Sequence, residues 1–291
     1  MARQVLHIAM LNADVPVPNV QPRWPSYGSI FANLLTKAAN RIAPSIRIES
    51  TEYNVHLDEY PPSLSNVDLL IITGAAASAY DNLDWIRKLD GYVRDVYANH
   101  PHVKIFGSCF GHQLIGQSLL KEFRIYAEKD PNGHEVGVQA ITLSDDFRSS
   151  FQNAPRSDNL QNPLAVPEVV RLQFIHGDHV KIPHVDALPP RWVNLGSTDH
   201  CAVQGLYEPG RVFTLQGHFE FDRFVNTEVL KYFATQGWPV AKKEYLEAVD
   251  ADDDSELVAE MVVCFLLELS SSQGNESFTK AGGLLTPPLI S

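Results

Sequence analysis

The sequence predicts an α/β protein built on an open, mostly parallel sheet with helices on both faces. Three observations lead there. Val67-Asp-Leu-Leu-Ile-Ile-Thr73 is a near-continuous apolar run, the pattern of a parallel strand buried on both sides. Between Gln4 and Lys121, such runs alternate with segments whose apolar residues recur at helical spacing, as strand–helix–strand crossovers require. Small residues close two of the runs, at Gly74-Ala-Ala-Ala-Ser78 and around Cys109. Ligands of open α/β sheets bind at strand C-terminal ends, where small residues let them approach the backbone.

The first strand is expected from Gln4 to Leu11. Asn12 to Pro25 is a loop with four prolines. Ser26 to Ile42 follows as a helix, with Ile30, Phe31, Leu34, Leu35, Ala38 and Ile42 on one face. Ser45 to Tyr53 alternates apolar with polar residues and reads as a half-covered strand. After Pro61-Pro62 comes the Val67 strand, then a helix carrying Trp85, Leu89, Val93 and Val96 inward. Val103 to Gly116 begins as a strand and ends as a helix. Beyond Lys121, Arg124 to Lys129 and Glu135 to Leu143 read as strands joined by a Pro131-Asn-Gly133 turn. Ser144 to Pro167 reads as a loop-rich excursion. Short strands follow at Arg171 to Gly177, Trp192 to Gly196, Cys201 to Leu206 and Arg211 to Leu215. A helix from Asp222 to about Thr235 turns Val225, Val229 and Phe233 inward.

Residues 1–240 make one domain on this reading, and residues 241–291 a C-terminal extension separable from the chemistry. Within the extension, Asp250 to Glu256 puts acid at a helix start, where the dipole favours it. Leu257, Val258, Met261, Val262, Phe265 and Leu266 then form an apolar stripe expected to dock on the domain. From Ser270 onward the chain is rich in Ser, Gly and Pro and is expected to be disordered.

The 291 residues are 44% hydrophobic and 20% charged, enough to bury a full core. A net charge of −12 argues against a nucleic-acid partner. No segment reaches the length of a transmembrane span, so no membrane association is expected. Three widely spaced cysteines make no disulfide framework and suit a reducing, cytoplasmic setting.

The chemistry centres on Gly107-Ser-Cys-Phe-Gly111. Glycines around a strand-to-helix turn point to a cramped backbone that lifts Cys109 clear of the sheet. The helix N-terminus there favours a thiolate. On this pattern alone, nucleophile and buried packing residue stay equally open. A nucleophilic thiol also needs a base and a group to orient that base. His218-Phe-Glu220, just after another apolar strand, supplies both.

Together, Gly107-Ser-Cys-Phe-Gly-His-Gln113 and Gln216-Gly-His-Phe-Glu220 resemble the two signature motifs of the class I, triad-type glutamine amidotransferases. The Gly74 loop and His176-Gly-Asp-His-Val180 fall in that family's order. The resemblance spans about Gln4 to Gly237. It is nearest in flavour to the glutaminase half of GMP synthetase and to the plant gamma-glutamyl peptidases, the latter through Asn82-Leu-Asp-Trp85 and Phe110. It implies a flavodoxin-like fold and a hydrolase of gamma-glutamyl amide bonds, acting on a peptide or on glutamine through a thioester. Cys109 would be the nucleophile, His218 the proton shuttle and Glu220 its orienting partner. Gly74, Ala75 and Phe110 would form the oxyanion hole. Gln113, His176, Gly177 and Asp178 would hold the glutamyl head of a small-molecule substrate. The alternatives are transfer of ammonia or the acyl group to a separate acceptor subunit, a homo-oligomer included, and a non-catalytic binding protein on the same fold. Two departures stand out. Gly74-Ala75-Ala76 replaces the family's Gly-Gly-Pro or Gly-Ser-Pro, and Phe219 replaces its Pro. Phe219 and the Ser144 to Pro167 excursion are expected to reshape the leaving-group side of the site. No cofactor is expected. No metal is expected either, because His176-x-x-His179 has no Cys or third ligand at zinc spacing. His112, His179, His184 and His200 read as loop or packing histidines.

Overall fold

The computed structural model describes residues 3–162, 164–184, 187–238 and 243–269. The segment from Ser270 onward, expected above to be disordered, lies outside the described residues. Among those described, no helix is long and apolar enough to cross a membrane.

A seven-stranded sheet organises the chain. Its parallel part comprises β1 (Gln4–Asn12), β2 (Ile46–Asn54), β3 (Leu69–Ile72), β4 (Lys104–Ser108) and β12 (Val212–Leu215). Across the sheet these run β2-β1-β3-β4-β12. Antiparallel β11 (Leu206–Glu208) and β9 (Val193–Asn194) then extend that edge. The apolar runs at Leu69–Ile72 and Lys104–Ser108 are buried along their whole length, because helices cover both faces.

On one face lies α1 (Tyr27–Ile42), capped by Ser26, whose Oγ accepts from the Ser29 N–H at 3.0 Å. The other face is covered by α2 (Asp84–Asn99), which buries Ile86, Leu89, Val93 and Val96, and by α3 (Phe110–Leu120).

The region after α3 differs from the sequence expectation. Gly133 does turn the chain, at φ +92°, but the strands it joins never pair. Instead β5 (Tyr126–Lys129) pairs with β8 (Asp178–Lys181), while β6 (Glu135–Leu143) pairs with β7 (Val169–His176) and β10 (Gly196–Ser197). The excursion contains a helix, α4 (Asp145–Asn153), capped by Ser144 and anchored by Phe147 and Phe151. Cys201 to Gly205 is irregular rather than strand.

α5 (Arg223–Thr235) starts at its Asp222 cap, and α6 (Lys243–Val249) follows. α7 (Ser255–Leu266) packs against α1 and β7. It buries Val258, Met261, Val262 and Phe265 in the same cluster as Phe31, Phe106 and Phe213. Glu268, just beyond it, accepts from Tyr207 Oη at 2.8 Å and from the Gly210 N–H at 2.7 Å. Within the extension, α7 and Glu268 therefore take part in the core.

Candidate active site

Cys109 caps α3 at φ 49°, ψ −105°, a strained conformation for a residue with a side chain. Its neighbours show why the turn is so tight. A Cβ on Gly107 would lie 2.5 Å from the Gly111 carbonyl carbon, and one on Gly111 would lie 2.3 Å from the Ile72 carbonyl oxygen. The strand pairing places Ser108 opposite Leu215, so the residues that follow β4 and β12 emerge side by side.

His218 sits in that space. Its Nδ1 is 2.7 Å from Glu220 Oε1, and its ring stacks on Phe221 at 4.0 Å. Ser108 Oγ donates to the Glu220 carboxylate, 3.0 and 3.2 Å from its two oxygens. Burial alone would lower the His218 pKa. The charges of Glu220 and Cys109, with hydrogen bonds to both, outweigh it and raise the pKa above the ordinary imidazole value. In contrast, burial pushes the other thiols up, Cys201 to about 12 and Cys264 to about 11. Gly74 closes the other side: a Cβ there would be 2.9 Å from His218 Cε1 and 3.6 Å from Cys109 Cβ.

Cys109 stands where two clefts meet. One, about 300 Å³, is largely apolar and is lined by Val15, Pro16, Val17, Val229, Tyr232 and Phe233. The second, about 400 Å³, is polar and includes Gln113, Lys129, His134, His176, Gly177 and Asp178. All four residues assigned to the glutamyl head thus line one cleft, but they differ in what they offer. Gln113 Nε2 donates to the Asp178 carbonyl at 2.9 Å and to Gln216 Oε1 at 3.0 Å. His176 spends Nδ1 on the same carbonyl and Nε2 on Glu135, each at 2.8 Å. The polar atoms of both side chains are therefore spent on holding the turn. The Asp178 carboxylate is fixed by Ser78 Oγ at 2.5 Å and Tyr80 Oη at 2.9 Å.

Several of these residues carried no sequence signal. Lys129 stands alone at a strand end. Asp14, in the proline loop, accepts the Ala76 N–H at 2.9 Å, a bond that proline at that position could not make. Tyr27 lines the apolar cleft, and burial, then Asp14, raises its pKa.

The expectations for Phe219 and the 144–167 excursion need correction. Phe219 points away from both clefts into the core, 5.2 Å from Phe31 and 5.8 Å from Phe106, and Glu220 still reaches His218. α4 packs on Tyr207 and Phe213. Neither lines a cleft beside Cys109; the proline loop and α5 line the apolar cleft instead. His112 is a packing residue, bonded to Thr214 Oγ1 at 2.8 Å and lowered to about 3 chiefly by burial. Among the described residues, Asp130, His179 and Cys201 form one group with metal-ligand character.

Comparison with known proteins fits this arrangement. A glutamine amidotransferase-like protein of Schizosaccharomyces pombe is 31% identical over 268 residues, covering 90% of this chain and 99% of the relative. Gamma-glutamyl peptidase 3 of Arabidopsis thaliana is 26% identical over 170 residues, 57% of this chain and 60% of the relative. A solved glutamine amidotransferase of Thermotoga maritima matches the fold with a TM-score of 0.60 at 14% identity, covering 91% of this chain and 99% of that one. No protein-family model matches the chain.

Proposed function

The chain belongs to the glutamine amidotransferase-like family, and on that premise we propose that it hydrolyses gamma-glutamyl amide bonds, with peptides preferred over glutamine. One observation carries the preference: an apolar cleft that meets, at Cys109, the polar cleft lined by Asp178 and Lys129. A glutamyl head carries an ammonium and a carboxylate, which suit Asp178 and Lys129. The leaving amine then points into the apolar cleft. Ammonia needs no such space, whereas a peptide or a conjugated thiol peptide would bury apolar surface there.

The geometry supports the following mechanism. The Cys109 thiolate attacks the gamma-carbonyl carbon. The oxyanion is received by the N–H groups of Ala75 and Phe110; the latter lies in the first turn of α3, where amides lack intrahelical partners. Gly74 leaves room for the substrate beside His218. The His218 imidazolium gives its proton to the departing nitrogen, and the C–N bond breaks to leave a thioester. Water then attacks the thioester while His218 takes its proton, releasing glutamate and restoring the thiolate. Glu220 keeps the imidazole charged and oriented.

The test is kcat/KM for glutamine, glutathione and a glutathione S-conjugate, each with Cys109→Ala as the blank. The expected result is faster turnover of the peptides, none of it by the variant. A clear preference for glutamine, stimulated by a partner protein, would instead support ammonia supply.

A further inference from the structure

We propose that Asp130, His179 and Cys201, with His200 beside Asp130, form a zinc site that ties the paired strands β5 and β8 to the loop after β10. Asp130 is only 2% exposed. Its Oδ1 accepts the Asn132 N–H at 2.8 Å, while its Oδ2 is buried without a hydrogen-bond partner. That oxygen lies 3.4 Å from His200 Nε2 and 3.7 Å from His179 Nδ1. His200 Nε2 is likewise buried and unpartnered, so the approach is not a hydrogen bond. Cys201 is 1% exposed, and ligand atoms of Asp130, His179 and Cys201 all lie within 4.8 Å of one another.

A carboxylate oxygen buried with no donor is costly, and so is a buried ring nitrogen without a partner. A cation among them resolves both. Zinc with tetrahedral N, O and S ligands at about 2.0–2.3 Å spaces those atoms about 3.3–3.6 Å apart, close to the Asp130–histidine separations. A thiolate and imidazoles beside one carboxylate select zinc over magnesium or calcium, which prefer all-oxygen sets. Binding forms a Zn–S bond and releases the Cys201 thiol proton to solvent.

An outer shell is also in place. Asn132 Nδ2 donates to the His200 carbonyl at 2.9 Å, and the Cys201 N–H donates to Thr198 Oγ1 at 3.1 Å. Thr198 in turn donates to Glu135, which holds His176. The ion would therefore steady the turn that presents Asp178.

The experiment uses the purified full chain, with metal binding rather than turnover as readout. After zinc loading and dialysis, elemental analysis is expected to find about one zinc per chain, reduced at least tenfold in Cys201→Ser and in Asp130→Asn. The cobalt-substituted protein is expected to show a thiolate-to-cobalt absorption that Cys201→Ser abolishes and Cys109→Ala retains. If the site variants do not fold, the wild type still decides: zinc added to chelator-treated protein is expected to raise its Tm by several degrees, reversibly with chelator. Absence of retained zinc together with an unmoved Tm overturns the proposal. So does an absorption that survives Cys201→Ser or vanishes in Cys109→Ala.

Discussion

Glu220→Gln probes the proposed triad without removing a side chain. Ser108 Oγ, which now donates to the carboxylate, can accept from the amide instead, so the variant keeps its packing. What it loses is a charge-assisted bond of 2.7 Å to His218. Such bonds contribute about 1.5–3 kcal/mol, or about one to two units in the pKa of the imidazole at 1.36 kcal/mol per unit. The sign follows from the cause of the shift. Glu220 and Cys109 raise the His218 pKa against burial, so removing Glu220 lowers it. The equilibrium ratio of the imidazolium–thiolate pair to the neutral imidazole–thiol pair then falls by about 10- to 100-fold. Alkylation of Cys109 by iodoacetamide, followed by mass spectrometry between pH 5 and 9, reads that population directly. The other two thiols are buried and raised to about 12 and 11, so they contribute little background. The alkylation profile of Glu220→Gln is expected to move to higher pH, with kcat/KM falling at least as far. A profile that superimposes on the wild type would refute the role given to Glu220. The linkage also has a stability side. A histidine with a raised folded pKa contributes stability that is fully present below its ordinary value near 6.5 and is lost as pH rises through the raised one. The variant should therefore lose stability relative to wild type below pH 6.5.

Three further outcomes are expected. Tyr232→Ala removes an aromatic wall of the apolar cleft, so kcat/KM for a glutathione conjugate should fall about fivefold, the effect of roughly 1 kcal/mol, while that for glutamine stays level. Phe219→Ala should cost about 3–5 kcal/mol in denaturant unfolding without changing KM where the protein stays folded, because the ring touches Phe31 and Phe106 rather than substrate. A chain ending at Gly237 should lose cooperative thermal unfolding, since it exposes the core that α7 covers; a folded, active truncation would show that α1 and β7 close over that surface without it.

The parallel sheet and the Cys109 turn were legible because each rests on a local pattern. Leu69–Ile72 is apolar throughout and Lys104–Ser108 is buried throughout, as cover on both faces demands, and Gly107 and Gly111 mark a backbone contact that no side chain permits. α4 was not legible. It is nine residues long and turns only Phe147 and Phe151 into the core, too few apolar positions to establish a helical period beside its prolines. The partners of β5 and β6 were hidden for a different reason. A turn at Gly133 is local, but which strands pair across it is decided by distant chain, at β8 and β7. Phe219 misled because a residue flanked by His218 and Glu220 invites a site role, while the bend after the single bridge of His218 to Gln173 turns its ring into the core.

The same contrast explains why one cluster could be read and the other could not. Cys109 and His218 follow adjacent parallel strands in a register that pairs Ser108 with Leu215, so two short motifs at strand ends suffice to bring them together. Asp130, His179 and Cys201 obey no motif. His179 reaches the group because β8 runs antiparallel to β5, with Lys129 opposite Asp178, and Cys201 arrives on an irregular loop held by Thr198. Linear spacing finds metal ligands when two lie on one turn or knuckle. Here the three come from separate segments, and what points to the group is polar atoms buried without a hydrogen bond, Asp130 Oδ2 and His200 Nε2 among them, because a folded chain rarely buries such atoms without supplying something to meet them.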